Sequence, residues 1–342
     1  MKATLERKEK RGILGTALKF SILLIMGFLI QFFVRETYDV GVIVALLPAL
    51  VYCFAGFHYW RKGFFHFILF SLISISFFIS LKISFDLGFY LNSVISFVSG
   101  VLFSLAYGRL FTKEDYDWLL LFGFGMVWTI LAFNVFDRRD WILENALNVP
   151  FVILVLFVAR WFRFSKTSYV VMFLYMFMNV IGSHYTYSLV PFGIWLSNFF
   201  HLERNHYDRI IHFCYGLLLA YPVRETFMRV GNYKGFWALF APIMFVLGTS
   251  AIYELMEWGI VEIFMADLSV AYLGTQGDIW DAQKDMFLAG IGSVIAMFVT
   301  ATVIVAFKGK FYWKEIKESF KVNKTPLGEV AITEMSAKER SL

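Results

Sequence analysis

The run YLGTQGDIWDAQKD, residues 272–285, sets Asp278, Asp281 and Asp285 directly ahead of a long apolar stretch. On a helix beginning near Asp278, those spacings of three and four place all three carboxylates on one face. Three further segments carry similar chemistry. NHYDRIIHF holds Asp208 and His212 four apart, YELMEWG holds Glu254 and Glu257 three apart, and GSHYTYS carries His184, Tyr185 and Tyr187. Carboxylates with one or two imidazoles suit Mg²⁺, Mn²⁺ or Ca²⁺ and, less distinctively, Zn²⁺. The same groups can act as general acids and bases.

These residues sort into candidate roles. Glu254, Glu257, Asp278, Asp281, Asp285 and His212 are the candidate metal ligands. Asp208, His212, Glu254 and Tyr185 are the candidate catalytic residues, with Asp208 orienting His212 and Tyr185 donating to a developing oxyanion. His184, Gln276 and Gln283 are the candidate substrate contacts. Arg209 and Lys284 are the cations in the neighbouring sequence, against six carboxylates. Two resolutions of that imbalance stay open: carboxylates that take up protons, or a divalent cation that neutralises them. Cys214 lies two residues from His212 and points elsewhere on a helix, which argues against a Cys–His nucleophile. No G-x-S-x-G, P-loop or H-E-x-x-H motif is present.

The elements that must carry these side chains are membrane helices. Hydrophobic residues make up 59% of the chain and charged ones 17%, against about 25% charged in a soluble protein. About ten apolar runs are long enough to cross a bilayer. They lie near residues 13–33, 40–60, 64–85, 88–108, 118–136, 142–160, 168–190, 208–230, 236–263 and 286–306. The expected fold class is all-α: a polytopic transmembrane helix bundle.

Basic residues set its orientation. Lys8, Lys10 and Arg11 precede the first span, and Lys or Arg clusters follow each even-numbered one. Both termini are therefore expected in the cytoplasm, and the acidic segments on the extracytoplasmic side. Arg138 and Arg139 dissent, offset by Asp137 and Asp140. The first span lacks a small-residue cleavage site and reads as uncleaved. The net charge of +5 reflects those loops, and no soluble segment is large enough for a nucleic-acid module. Cys53 and Cys214 fall in apolar runs and read as small buried hydrophobes. Ala289, Gly290, Gly292 and Ser293 read as a helix-packing face, and Gly274 and Gly277 as a flexible turn.

The expected organisation is a four-span region at 1–115, a six-span polar domain at 116–306 and a cytoplasmic juxtamembrane segment at 307–342. FKGKFYWKEIKESFK, opening the last of these, has the composition of a helix lying on anionic lipid.

From about FDRRDWILENA through the last span, residues 136–306, the chain resembles the YjdF-like family of bacterial inner-membrane proteins, whose function is unassigned. DRRDWILE, IGSHYTYSLVPFG, ERNHYDRIIHF, YELMEW and LGTQGDIWDAQKDM carry the match, in the family's order. Ile211 stands where the family pattern tends to have Gly before the histidine. A fainter similarity runs to VanZ-like membrane proteins, a family linked to glycopeptide resistance. They too open one span with an acid and a histidine, carry glutamate in another and open a later one with aspartate. The resemblance implies a multi-pass protein of the bacterial cytoplasmic (inner) membrane and supplies no reaction. From the residues, the leading expectation is a metal-dependent enzyme in the lipid bilayer, acting on a lipid or lipid-linked envelope substrate. The alternatives are a proton- or cation-coupled transporter and a non-catalytic protein that binds an envelope ligand.

Overall fold

A computed structural model describes residues 63–109, 116–158, 161–264, 276–322 and 328–339, with Ala55 and His58 singly. The spans expected at 13–33 and 40–60, those two residues aside, lie outside the described residues, as do Cys53 and Gly274.

The described residues form eleven helices and no strand: α1 (Phe64–Phe85), α2 (Phe89–Arg109), α3 (Tyr116–Leu131), α4 (Arg138–Val158), α5 (Lys166–His184), α6 (Pro191–Phe200), α7 (Tyr207–Arg229), α8 (Trp237–Phe264), α9 (Asp281–Lys308), α10 (Lys310–Ser319) and α11 (Glu329–Glu339). Four of them, α1, α4, α8 and α9, are long and apolar enough to cross a membrane. In hydrocarbon every backbone polar group must be satisfied within the segment, so a chain this apolar has helix as its route across.

The chain divides into two compact units, residues 1–205 and 206–342. In the first, α1 packs on α2 and α3, and α5 packs on α3 and α4. Serines at the buried face of α1 return their hydroxyls to their own helix, Ser76 to the Leu72 carbonyl at 2.6 Å and Ser80 to the Ser76 carbonyl at 2.7 Å. That back-bonding satisfies a hydroxyl where water is absent. A span was expected over 168–190, but α5 ends at His184. Thr186 and Tyr187 follow in left-handed conformation, and the short α6 opens with Pro191 at its first turn, where a missing N–H costs nothing. Asn205 Nδ2 donates to the Ser188 and Val190 carbonyls, at 2.9 and 3.1 Å, and ties the segment back.

In the second unit, α7 and α9 pair along their length and α8 packs against both. The α7–α9 approach is close because small residues meet. A Cβ at Gly216 would strike the Ala289 carbonyl, and one at Gly292 would strike the Phe213 carbonyl. Without a hydrophobic force between helices in lipid, such close backbone contact is what holds them. Ala220, Val246, Ala289, Ala296 and Met297 fill the space below. At the far end α10 docks on the α7–α8 loop. Tyr312 is buried, Trp237 Nε1 donates to the Ser319 carbonyl at 2.9 Å, and Phe320 meets the Phe236 ring at 5.0 Å. Phe311 and Trp313 stay exposed.

Candidate functional site

Three helix segments of the second unit converge on one group of side chains. The first turn of α7 supplies Asp208, with His212 one turn on. Asp281 opens α9, and Asp285 follows a turn later. Glu254 comes from α8. The Gly216–Ala289 contact lies one turn below His212 and Asp285, so the tightest part of the helix pair sits directly beneath the cluster.

Ligand atoms of Asp208, His212 and Asp285 all lie within 4.8 Å of one another. His212 Nε2 is 3.7 Å from Asp208 Oδ1 and 3.5 Å from Glu254 Oε1. Asp285 is 2% exposed, Asp281 4% and His212 9%. Asp285 Oδ1 and Glu254 Oε1 are buried without a hydrogen bond. The 3.5 Å approach of Glu254 to His212 is therefore ion-pair contact without hydrogen-bond geometry. A buried acceptor left unsatisfied costs about 1–3 kcal/mol, more if charged. Two such oxygens around one imidazole fit a bound cation or added protons. An ion central to a triangle of this size lies within about 2.8 Å of each ligand atom, near the roughly 2.3–2.6 Å of calcium–oxygen bonds.

Asp278 faces other partners. The helix begins at Asp281 rather than near Asp278, which leaves Asp278 in the preceding turn. Its Oδ2 accepts from Arg209 Nη2 and from Lys284 Nζ, the latter at 2.5 Å, and its Oδ1 accepts from the Trp280 amide at 3.1 Å. Lys284, that amide and Arg209 hold its carboxyl well below the usual carboxylate range. Arg209 also reaches Asp281 Oδ1 at 3.3 Å.

The Asp208–His212–Asp285 grouping does not include the remaining candidates. Glu257 is half-buried, three residues beyond Glu254 on α8, and Gln276 and Gln283 are exposed. His184 and Tyr185 belong to the first unit. There His184 Nδ1 lies 2.9 Å from the Leu131 carbonyl, which assigns that nitrogen as a donor, and its ring packs edge-on to Tyr185 at 4.7 Å.

One polar network was not anticipated. Asn145 of α4 accepts from Trp128 Nε1 at 2.7 Å and donates to the Trp141 carbonyl at 2.8 Å and to Ser183 Oγ at 3.2 Å. Asn148 Nδ2 adds a bond to Asn145 Oδ1 at 3.3 Å. The signal was available in LENALN, where Glu144, Asn145 and Asn148 interrupt an apolar run.

Long apolar helices around a buried acid–histidine cluster define a multi-pass membrane protein with a polar site within its helices. The chain belongs to the family of predicted membrane proteins DUF2238, whose model matches residues 116–305. It is similar to the inner membrane protein YjdF of Escherichia coli (strain K12), at 33% identity over 182 residues, covering 53% of this chain and 83% of the relative. No solved structure matches the chain. All the cluster residues fall inside the family match.

Proposed function

We propose that the second unit carries a divalent-metal centre and that the protein is a metal-dependent enzyme of the inner membrane, acting on a lipid or lipid-linked substrate from the extracytoplasmic side. The observation that carries this reading is the largely buried Asp208–His212–Asp285 group, one carboxylate oxygen of which, on Asp285, has no hydrogen bond. Asp208, His212 and Asp285 would hold the ion, which supplies Lewis-acid polarisation and an activated water. Glu254, against His212, is placed to take up or release a proton. Its site class follows from chemistry, since carboxylate oxygens with one imidazole favour Mg²⁺, Mn²⁺ or Ca²⁺ over softer ions.

The same reading completes the topology: ten spans with both termini in the cytoplasm, a four-span region at 1–115, the polar domain at 116–306 and a juxtamembrane segment beyond it. Elemental analysis of detergent-purified protein, prepared without chelator and supplied with each ion, tests the centre. Stoichiometric metal in the wild type and its loss in Asp285→Ala, with Gln283→Ala as an exposed control, is the expected result. A metal-free wild type would overturn it. Protonated carboxylates would then explain the cluster, which favours proton-coupled transport or ligand capture.

A further inference from the structure

At the mouth of the cluster, two cations from different helices converge on one oxygen. Arg209 near the start of α7 and Lys284 in the first turn of α9 both bind Asp278 Oδ2. The Trp280 amide donates to the other oxygen of the same carboxylate at 3.1 Å. A guanidinium, an ammonium and a backbone N–H around one oxyanion form a phosphate-type donor set. Arg209 has further contacts: Nη2 to Asp281 Oδ1 at 3.3 Å and Nη1 to His206 Nδ1 at 3.4 Å. Its Nε is buried with no acceptor. The planar carboxylate of Asp278 thus leaves one guanidinium donor unused, and a tetrahedral anion with three acceptor oxygens can reach it.

The occupant of this donor set comes from a turn rather than from a helix. Asp278 belongs to the turn 276–280, whose Gln276 and Gly277 hold φ values of 44° and 89°. Its neighbours Ile279 and Trp280 are exposed, an apolar pair of the kind found at the membrane–water interface. Lys284 precedes Asp285 on α9 and Arg209 follows Asp208 on α7, so an anion held by the two cations lies beside the triad.

We propose that Arg209 and Lys284 form the binding subsite for the phosphate of a phosphomonoester, and that Asp278 occupies this subsite from within the chain until substrate displaces it. The inference rests on the metal reading above. Asp278 and Asp281 bind these cations while Asp208, Glu254 and Asp285 gather at His212 close by, and an anion enters such a field only when a divalent cation offsets it. The exposed Ile279–Trp280 pair beside the subsite favours a lipid as the carrier of the phosphate, delivered from the bilayer rather than from solution.

The test uses the full-length protein in phosphatidylcholine nanodiscs, with Mn²⁺ bound, and two probes: inorganic phosphate in solution and phosphatidic acid in the disc. Wild type, Asp278→Asn, Arg209→Gln and Lys284→Gln are compared, and Mn²⁺ content is measured for each. Removing the internal competitor in Asp278→Asn should tighten binding of the probes by about tenfold, and Arg209→Gln should weaken it by about tenfold or more. Lys284→Gln should weaken it too, and Mn²⁺ content should stay at the wild-type level in all three. Full Mn²⁺ with equal affinity in every variant overturns the subsite and leaves the metal centre standing. No Mn²⁺ in the wild type overturns the metal centre, and the subsite with it. Tighter binding of phosphatidic acid than of inorganic phosphate identifies a lipid phosphomonoester. Equal binding overturns the lipid assignment and identifies a soluble one.

Discussion

Gly216→Ala separates packing from chemistry in this protein. The added Cβ would lie 2.7 Å from Ser293 N and 2.8 Å from the Ala289 carbonyl carbon. Ordinary contacts need about 3.5–4.0 Å and the Ala289 carbonyl oxygen lies closer still, so α7 and α9 must part by more than about 1 Å. Both obstacles are helical backbone, and neither can rotate aside. Overpacking of this kind costs about 1–3 kcal/mol. Alanine also gains about 1 kcal/mol over glycine as a helix former, which offsets part of that cost. Gly248→Ala on α8, where a Cβ meets nothing within 4 Å, receives the propensity gain alone. The difference between the two variants therefore isolates the crossing, at about 1–3 kcal/mol. Denaturant unfolding in detergent micelles measures it, and metal content gives a second readout. Ligand atoms already up to 4.8 Å apart cannot open by a further ångström and still close on an ion. Gly216→Ala should lose metal while Gly248→Ala keeps it. Equal stability and equal metal content in the two variants would refute the argument that the glycine contact sets the spacing of the site.

Other outcomes follow from single residues. Asn145→Ala should cost about 1–3 kcal/mol in the same unfolding assay, because it strands the Trp128 indole N–H and removes a donor from Ser183 Oγ, whose own hydroxyl still bonds the Val180 carbonyl. Tyr312→Phe should leave stability unchanged or slightly improved, since the Tyr312 hydroxyl is buried with no partner. Asp278 gives a pH prediction. Its carboxyl is held below its unfolded value, so the stabilisation it confers is complete above about pH 4 and fades only as acid protonates it. Amide exchange across 276–280, corrected for intrinsic rates, should stay flat from about pH 5 to 8. A change of protection inside that window would show that another group controls the turn.

Composition alone made the helical, membrane-embedded character of the chain legible, because few folds tolerate so little charge. The i, i+4 pairs were equally readable: Asp208 and His212, like Asp281 and Asp285, share a helix face for reasons internal to the helix. What the spacing could not reveal was which carboxylate meets which cation. Asp278 shares the periodicity of Asp281 and Asp285, yet the helix begins three residues later and Asp278 turns to Arg209 and Lys284. Helix ends depend on local hydrogen bonds that a hydrophobic pattern does not encode. The α5 boundary shows the same gap, since Leu189 and Val190 resume the apolar pattern while the backbone has already turned left-handed at Thr186. The Asn145 network was visible as polar letters in an apolar run, but its partners Trp128 and Ser183 come from other helices and carry no local signal.

The docking of α10 on the α7–α8 loop has a mechanical meaning. The helix follows α9 directly and grips the loop that joins α7 to α8, so all three helices are clasped together at one end. The acid–histidine group sits at the other end, where Arg209 of α7 binds Asp278 and Asp281 and ties α7 to the start of α9. The three helices are thus pinned at both ends, and the carboxylates sit in a closed frame rather than at the free tip of an arm.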